Sequence, residues 1–266
     1  MALLDLTPVV PIPQLGECDR RTLAEVWAFR ARSEQQSEQR FARLARELGE
    51  VGADAVVVRM AHRAVADEGS HARICASMAA RYGHCDDGVP VPPATAIGPR
   101  SFGPRRRMLF EVVAFACITE TVNAALMTET YRHATVPAVR DAVRHILKDE
   151  VGHSRMGWAH LSAERARGEG EFVAHWLPRM LRGTVADELL AAHGREAADP
   201  ALMAHGELPE PMRLDVFRSA LRDVIFPGLE SLGIDTRLGR EWLARASPLP
   251  AYSARADVAA ASSAAY

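Results

Sequence analysis

The feature that most constrains this chain is an Asp-Glu-x-x-His pattern that occurs twice, each time in a long stretch of helix-forming residues without proline. The pairs are Glu68 with His71 and Glu150 with His153. Residues three apart in an α-helix lie about one turn apart on the same face. A carboxylate and an imidazole on a buried helical face need a cation or a polar partner to offset their lost hydration. Two such pairs predict a helical site for two metal ions.

Further ligands follow from how antiparallel helices face each other. Two antiparallel helices joined by a tight turn place residues equidistant from that turn at the same height. Reflecting Glu68 through the turn at residues 49–53 gives Glu34, and reflecting Glu150 through the turn at 134–137 gives Glu120. Glu38 also lies near the apolar stripe of the first helix and stays open as the alternative to Glu34. The predicted catalytic and metal-binding set is Glu34, Glu68, His71, Glu120, Glu150 and His153.

With two Glu-x-x-His motifs and two mirrored glutamates, residues 22–167 resemble the ferritin-like di-iron carboxylate superfamily. The resemblance implies an all-α fold: a ferritin-like four-helix bundle with a long crossover between its second and third helices. It also implies two Fe ions, with a mixed Mn/Fe pair as the alternative, and O2 as co-substrate. In this interpretation Glu68 and Glu150 bridge the ions, His71 and His153 bind one ion each, and Glu34 and Glu120 are terminal.

The chain is distantly similar to several groups within that superfamily, and it departs from each of them. Rubrerythrins have a further Glu where this chain has Asn123, and they usually carry C-x-x-C pairs that are absent here. Arylamine N-oxygenases have a His where this chain has Ile146. Aldehyde-deformylating oxygenases also follow the bundle with further helices, and they end with a segment that resembles residues 229–233.

The predicted domain organisation is one large helical domain with two flanking segments. Residues 1–168 form an N-terminal arm and the bundle, residues 169–250 form additional C-terminal helices packed on it, and residues 251–266 form a mobile tail. The first helix is predicted to begin at a capping box at Thr22 and to end at Gly49. The predicted helices are 22–48, 54–82, 104–133, 137–167, 171–192, 212–232, which Pro227 interrupts or ends, and 237–246.

Two further groups of residues are predicted around the metal ligands. Asp67 and Asp149 each precede a ligand Glu, and each is expected to accept a hydrogen bond from the other motif's His, as carboxylates near metal-bound histidines commonly do. The alternative is that both are solvated neighbours. The predicted substrate pocket is lined by Ser37, Ala64, Ala116, Cys117, Asn123, Ala124 and Met127. Arg105 and its two arginine neighbours are expected to form a solvated basic turn, with docking of an acidic electron donor as the alternative.

Composition restricts the partners of the chain. A net charge of −2 over 266 residues gives no general case for binding nucleic acid or a membrane. The four cysteines form no C-x-x-C pair, which favours reduced thiols and a cytoplasmic protein. The sequence has no flavin, NAD or iron–sulfur motif, so an external donor, a reductase or a ferredoxin, is expected to supply electrons. A homodimer is the expected assembly.

These features predict a non-haem di-iron oxygenase or oxidase that acts on a small organic molecule in specialised metabolism. The reaction classes considered are hydroxylation, N-oxygenation and oxidative cleavage. One alternative is a peroxidase or ferroxidase of the rubrerythrin or ferritin kind. The other is a bundle without metal that has a structural role, in which the excess buried acid would have to be neutralised by protons.

Overall fold

The computed structural model of the protein describes residues 15–85, 92–185 and 198–245, and for residues 183–185 it describes the backbone only. Most of the predicted N-terminal arm, the end of the predicted helix 171–192 and the predicted tail 251–266 lie outside the described residues. The described residues are helical and contain no strand. The prediction of an all-α fold is therefore confirmed.

Eight helices follow one another in the described residues. The four long ones are α1 (Glu17–Glu50), α2 (Ala55–Arg81), α3 (Pro104–His133) and α4 (Pro137–Ala166). The C-terminal ones are α5 (Gly170–Val185), α6 (Pro200–Ala204), α7 (residues 210–231) and α8 (Arg237–Arg245). By length and composition α3 could cross a membrane, but 72% of its most apolar window is buried inside the structure, and buried core helices pass the same test.

The ends of α1 differ from the prediction. The helix begins at Glu17, so Thr22 is not its cap; the Thr22 hydroxyl instead donates to the Cys18 carbonyl oxygen one turn earlier, at 3.1 Å. The chain turns after α1 at Gly52, whose φ of 68° favours glycine, and not at Gly49. The predicted cap of α2 is present, since the Asp54 carboxylate accepts a hydrogen bond from the Val56 amide at 2.7 Å.

Helix α7 continues through Pro227 instead of ending there. It consists of an α-helical part, Glu210–Ala220, a π-helical part, Leu221–Ile225, and a second α-helical part, Phe226–Ser231. A proline inside an α-helix clashes with the carbonyl four residues earlier and lacks a donor for it. The wider π-helical turn just before Pro227 relieves this conflict, so the chain stays helical.

The directions of the long helices follow from contacts between their side chains. Asp67 lies near His153 and His71 lies near Asp149, so α2 and α4 are antiparallel. Short turns join α1 to α2 and α3 to α4, and each pair packs together. Helices α2 and α3 therefore run in the same direction. The end of α2 at Arg81 and the start of α3 at Pro104 therefore lie at opposite ends of these helices.

Three apolar clusters form the core. One fills the end of the long helices near Trp27, Tyr82 and Ile146. A second fills the opposite end near Phe41 and Met156. The third packs the outer face of α3 against the C-terminal helices, through Leu109, Ile118, Leu177, Phe226 and their neighbours. Between the first two clusters lies a layer of buried acidic and imidazole side chains.

Candidate metal centre

The buried polar layer contains all six predicted ligands. They fall into two groups, Glu34, Glu68, His71 and Glu150, and Glu68, Glu120, Glu150 and His153. Within each group, one ligand atom per residue lies within 4.8 Å of the others. All six side chains are buried. Glu68 and Glu150 belong to both groups, so they occupy the centre of the layer. These close, buried groups could hold metal ions.

The two imidazoles are placed alike. His71 Nδ1 lies 3.6 Å from Glu68 Oε2 and 3.6 Å from Glu150 Oε1. His153 Nδ1 lies 3.0 Å from Glu68 Oε1 and 3.5 Å from Glu150 Oε2. Each imidazole therefore faces both shared carboxylates, through a different oxygen of each. This is the arrangement expected when two carboxylates each offer one oxygen to each of two cations.

The outer carboxylates complete the two groups. Glu34 Oε2 lies 3.9 Å from His71 Nδ1, and Glu120 Oε2 lies 3.9 Å from His153 Nδ1. Glu38, the alternative to Glu34, belongs to neither group. Its carboxylate instead packs against Gly69, where an added Cβ would come within 2.9 Å of Glu38 Oε1.

Most of the central ligand atoms lack a hydrogen bond. Both oxygens of Glu68, both oxygens of Glu150, Nδ1 of His71 and both ring nitrogens of His153 are buried without a hydrogen-bond partner among the described residues. The 3.0 Å approach of His153 Nδ1 to Glu68 Oε1 is short but not aligned as a hydrogen bond. Buried polar atoms are nearly always paired in native proteins, so these atoms fit a missing cationic partner.

Several acids of the polar layer have raised pKa values in the protein without metal, which favours their neutral form. Burial, reinforced by the neighbouring Glu68, raises the pKa of Glu34 well above its ordinary value. Burial and the Glu150 charge do the same to the pKa of Glu120. Burial also raises the pKa of Glu68. Burial alone would lower the pKa of His153, but Asp67 and the other carboxylates close to its ring raise that pKa strongly.

Asp67 and Asp149 lie behind the imidazoles in a crossed arrangement. Asp149 Oδ2 is 3.4 Å from His71 Nε2, and Asp67 Oδ2 is 3.5 Å from His153 Nε2. Burial would raise the pKa of Asp67, but its interaction with His153 outweighs burial and lowers it. Each aspartate thus contacts the histidine of the other motif. The His71–Asp149 contact is a hydrogen bond, which helps to hold that ring with Nδ1 toward the centre of the layer, whereas the His153–Asp67 contact is not aligned as one.

A π-helical stretch in α3, Val113–Thr119, leads directly into the ligand Glu120. Such stretches are frequent at functional sites. Here α3 approaches α4 so closely that a Cβ on Gly157 would lie 2.7 Å from the Ala116 Cβ and 2.8 Å from the Cys117 amide nitrogen. The stretch sets the direction of Glu120, and regular helical periodicity carries no signal for it.

A cavity of about 110 Å³ opens beside the outer carboxylates. Its charged lining residues are Glu34 and Glu120 from the buried polar layer and a second group, the outer wall, that consists of Arg30, Glu207 and Arg213. Its apolar lining residues are Val26, Phe29, Leu126, Met127 and Leu208. The segment between α6 and α7 contributes Glu207 and Leu208 to this lining, which combines charged and apolar side chains.

Three of the predicted pocket residues, Ser37, Asn123 and Met127, line this cavity. The other four do not. Ala64 and Ala116 are packed in the core cluster near Phe41, and Cys117 is packed in the cluster that faces the C-terminal helices. Ala124 is half-buried and outside the lining. The π-helical stretch displaces residues 116 and 117 from the regular helical phase on which the prediction relied.

The sequence prediction missed six lining residues that are polar or charged: Arg30, Ser33, Thr119, Thr130, Glu207 and Arg213. Arg30 carried a usable signal, because it precedes the ligand Glu34 by four residues and so shares its helical face. The approach of Glu207 and Arg213 depends on how the C-terminal helices pack, and the local sequence has no signal for it.

Comparisons of the chain with models of protein families, with curated proteins and with solved structures find no match.

Proposed function

We propose that this chain is a ferritin-like di-iron carboxylate enzyme that uses O2 to oxidise a small organic molecule. The observation that carries the proposal is the set of buried carboxylate and imidazole atoms that lack hydrogen-bond partners. Four carboxylates and two neutral imidazoles suit first-row dications such as Fe(II) and Mn(II). Four negative charges also balance two dications, which removes the cost of burying so much acid.

The ligand pattern supports the ferritin-like assignment. Helices α1 and α3 contribute one Glu each, and helices α2 and α4 contribute a Glu-x-x-His pair each, as in that class of bundle. The shared direction of α2 and α3, which requires a long connection, is also a property of such bundles.

Each ligand has a role in this proposal. Glu68 and Glu150, shared by both groups, would bridge the ions. Glu34 and His71 would complete one ion, and Glu120 and His153 the other. A bound di-iron pair supplies the electrons and the open coordination positions that O2 activation requires. Asp67 and Asp149 would keep the imidazoles oriented, and an external reductase or ferredoxin would return the electrons.

The cavity favours oxidation of an organic molecule over ferroxidase or peroxidase activity. It borders Glu34 and Glu120 directly and has apolar walls, including Phe29 and Met127. Glu207, Leu208 and Arg213 from the C-terminal region complete its lining. Ser37, Thr119 and Asn123 are placed to exchange protons or hydrogen bonds with a bound molecule beside the carboxylates.

Metal analysis by mass spectrometry and O2 uptake by the reduced protein test the proposal. We expect about two metal ions per chain, as in two-metal sites, and O2 uptake that rises when a suitable organic compound is added. Turnover of Fe(II) or peroxide without an organic product would instead support the ferroxidase or peroxidase alternative. Protein that holds no metal after reconstitution would overturn the proposal and leave a structural bundle.

A further inference from the structure

The outer wall of the cavity has an unusual charge composition. Arg30 comes from α1, Arg213 from the first turns of α7, and Glu207 from the segment before α7, and all three line the cavity. Burial lowers the pKa of Arg30 and of Arg213, and nearby carboxylates partly offset it. Guanidinium groups stay charged in proteins. Two of the three lining residues at this wall are cations and one is a carboxylate; Glu210, which does not line the cavity, also acts on Arg213.

Arg30 is held in place by contacts that leave part of its guanidinium group unused. Its Nη2 donates to the Gly206 carbonyl oxygen at 2.7 Å. Its guanidinium carbon lies 4.7 Å from the centre of the Trp27 ring, at cation–π distance. Its Nη1 is buried and has no hydrogen-bond partner among the described residues. A donor that is oriented in advance and unused costs little to engage when a ligand binds.

Glu34 is the acidic residue of the cavity that could pair with Arg30 in place of a bound ligand. It lines the same cavity one helical turn away, about 6 Å along the helix axis, and its charge raises the pKa of Arg30. In the proposed function, however, Glu34 binds a metal ion, and its charge is neutralised there. The positive charge of Arg30 and its unused Nη1 donor are then left for a ligand.

We propose that the cavity selects an organic monoanion, a carboxylate with an apolar body, as the substrate class. Its carboxylate would bind Arg30 and Arg213, whose planar donor groups match carboxylate geometry. Its apolar body would pack on Phe29, Leu126 and Met127, toward Glu34 and Glu120. This inference rests on the proposed function, because it takes the Glu34 charge as neutralised by metal.

The test is calorimetric titration of the Mn(II)-loaded full-length protein with benzoate and with its uncharged isostere, benzamide. We expect benzoate to bind at least about tenfold more tightly than benzamide, since hydrogen bonds to charged groups are the stronger kind. Arg30→Met and Arg213→Met should each weaken benzoate binding by about tenfold or more. Glu207→Gln should strengthen it, because that change removes the competing negative charge.

Arg32→Met is the matched control, because Arg32 is exposed on the same helix as Arg30, and it should leave benzoate binding unchanged. If Arg30→Met misfolds, Arg213→Met still decides the question. Equal binding of benzoate and benzamide would overturn the inference. So would benzoate affinity that neither Arg30→Met nor Arg213→Met changes, since the carboxylate would then sit on the metal ions.

Metal content, measured on the same samples, keeps the two proposals separate. If the protein binds two Mn(II) ions but shows no preference for benzoate, the proposed function is supported and the proposed substrate class is contradicted. If the protein binds no metal but its benzoate binding still depends on Arg213, the proposed function is contradicted and the anion site is supported.

Discussion

The chain buries acidic side chains in two different ways. Glu111, near one end of the long helices, is 1% exposed and accepts hydrogen bonds from Arg40, at 2.7 Å, and from Arg43. Glu164 is also 1% exposed, and Arg105 binds both of its oxygens, at 2.6 and 2.7 Å. Arg105 is therefore paired and does not belong to the solvated basic turn expected from the sequence.

In the polar layer between the apolar clusters the same residue type is left without arginine. Glu68 and Glu150 are 1% and 0% exposed, and no described residue donates a hydrogen bond to any of their oxygens. Both regions belong to the same long helices, and their acidic side chains are equally buried. Burial of an acid therefore does not by itself indicate a metal ion; what distinguishes the central acids of the polar layer is that no arginine is paired with them.

The largest expected effect is a loss of bound metal, which we expect in variants of the polar layer and not in variants of the arginine-paired acids. Glu150→Ala should lose most of at least one metal equivalent, because Glu150 belongs to both ligand groups. His71→Ala should lose most of one. Glu111→Gln and Glu38→Ala should keep the full metal content, as measured by mass spectrometry after reconstitution. Unchanged metal in Glu150→Ala, or an empty site in Glu38→Ala with metal retained in Glu34→Ala, would refute the ligand assignment.

The second largest expected effect is on the pH dependence of stability, to which the acids of the polar layer should contribute. Glu34 and Glu120 have pKa values raised above the ordinary 4.5 in the folded protein without metal. The folded chain then binds more protons than the unfolded chain above that pH, so the free energy of unfolding falls as pH rises. We expect these two groups to make the Tm of the apoprotein fall as pH rises above about 5, where carboxyl groups in unfolded chains are ionised.

Two controls sharpen that prediction. The double variant Glu34→Gln with Glu120→Gln should show a flatter dependence of Tm on pH, because the carboxyl groups that take up protons are gone. Loading with metal should also flatten it, because cations replace the protons. A Tm that rises steadily over the same range would contradict the raised pKa values.

Replacing an acid that is paired with arginine should lower the free energy of unfolding without changing the metal content. Glu111→Gln leaves Arg40 and Arg43 beside a neutral amide. Removal of one partner of a buried pair commonly costs about 3–5 kcal/mol, and the arginines here are partly exposed, so we expect a loss of about 2–4 kcal/mol. Urea unfolding measures this loss, and metal analysis of the same variant checks the comparison. Loss of metal from Glu111→Gln would show that the two regions are not independent.

The smallest expected effects concern a pair of glycines in α4. Gly157→Ala would force Ala116 and the α3 backbone away, at a cost of about 1–3 kcal/mol. Gly152→Ala is the matched control, because nothing lies within 4 Å of its added Cβ. That change should stabilise the helix by about 0.5–1 kcal/mol. Thermal unfolding compares the two, and equal effects would mean that the close approach at Gly157 is not limiting.

Much of the architecture could be predicted because it depends on local spacing. The lengths of α2, α3 and α4 followed from long runs free of internal proline, and the cap at Asp54 followed from side-chain chemistry within two residues. The start of α1 could not be placed in this way. Thr22 has the residue pattern of a cap, but the helix begins five residues earlier at Glu17, and the Thr22 hydroxyl donates back to the Cys18 carbonyl oxygen.

By itself the sequence determined which residues share a helical face and which helices meet at short turns. Three-residue spacing and reflection through a turn are properties of the helix, so the positions of Glu34, Glu68, Glu120 and Glu150 along the chain were enough to relate them. Only the tertiary structure decided the π-helical stretch before Glu120, the arginine partners of Glu111 and Glu164, and the cavity wall. Those features depend on close approach between segments far apart in the chain, such as Arg30 with Gly206. Local propensity has no information about such contacts.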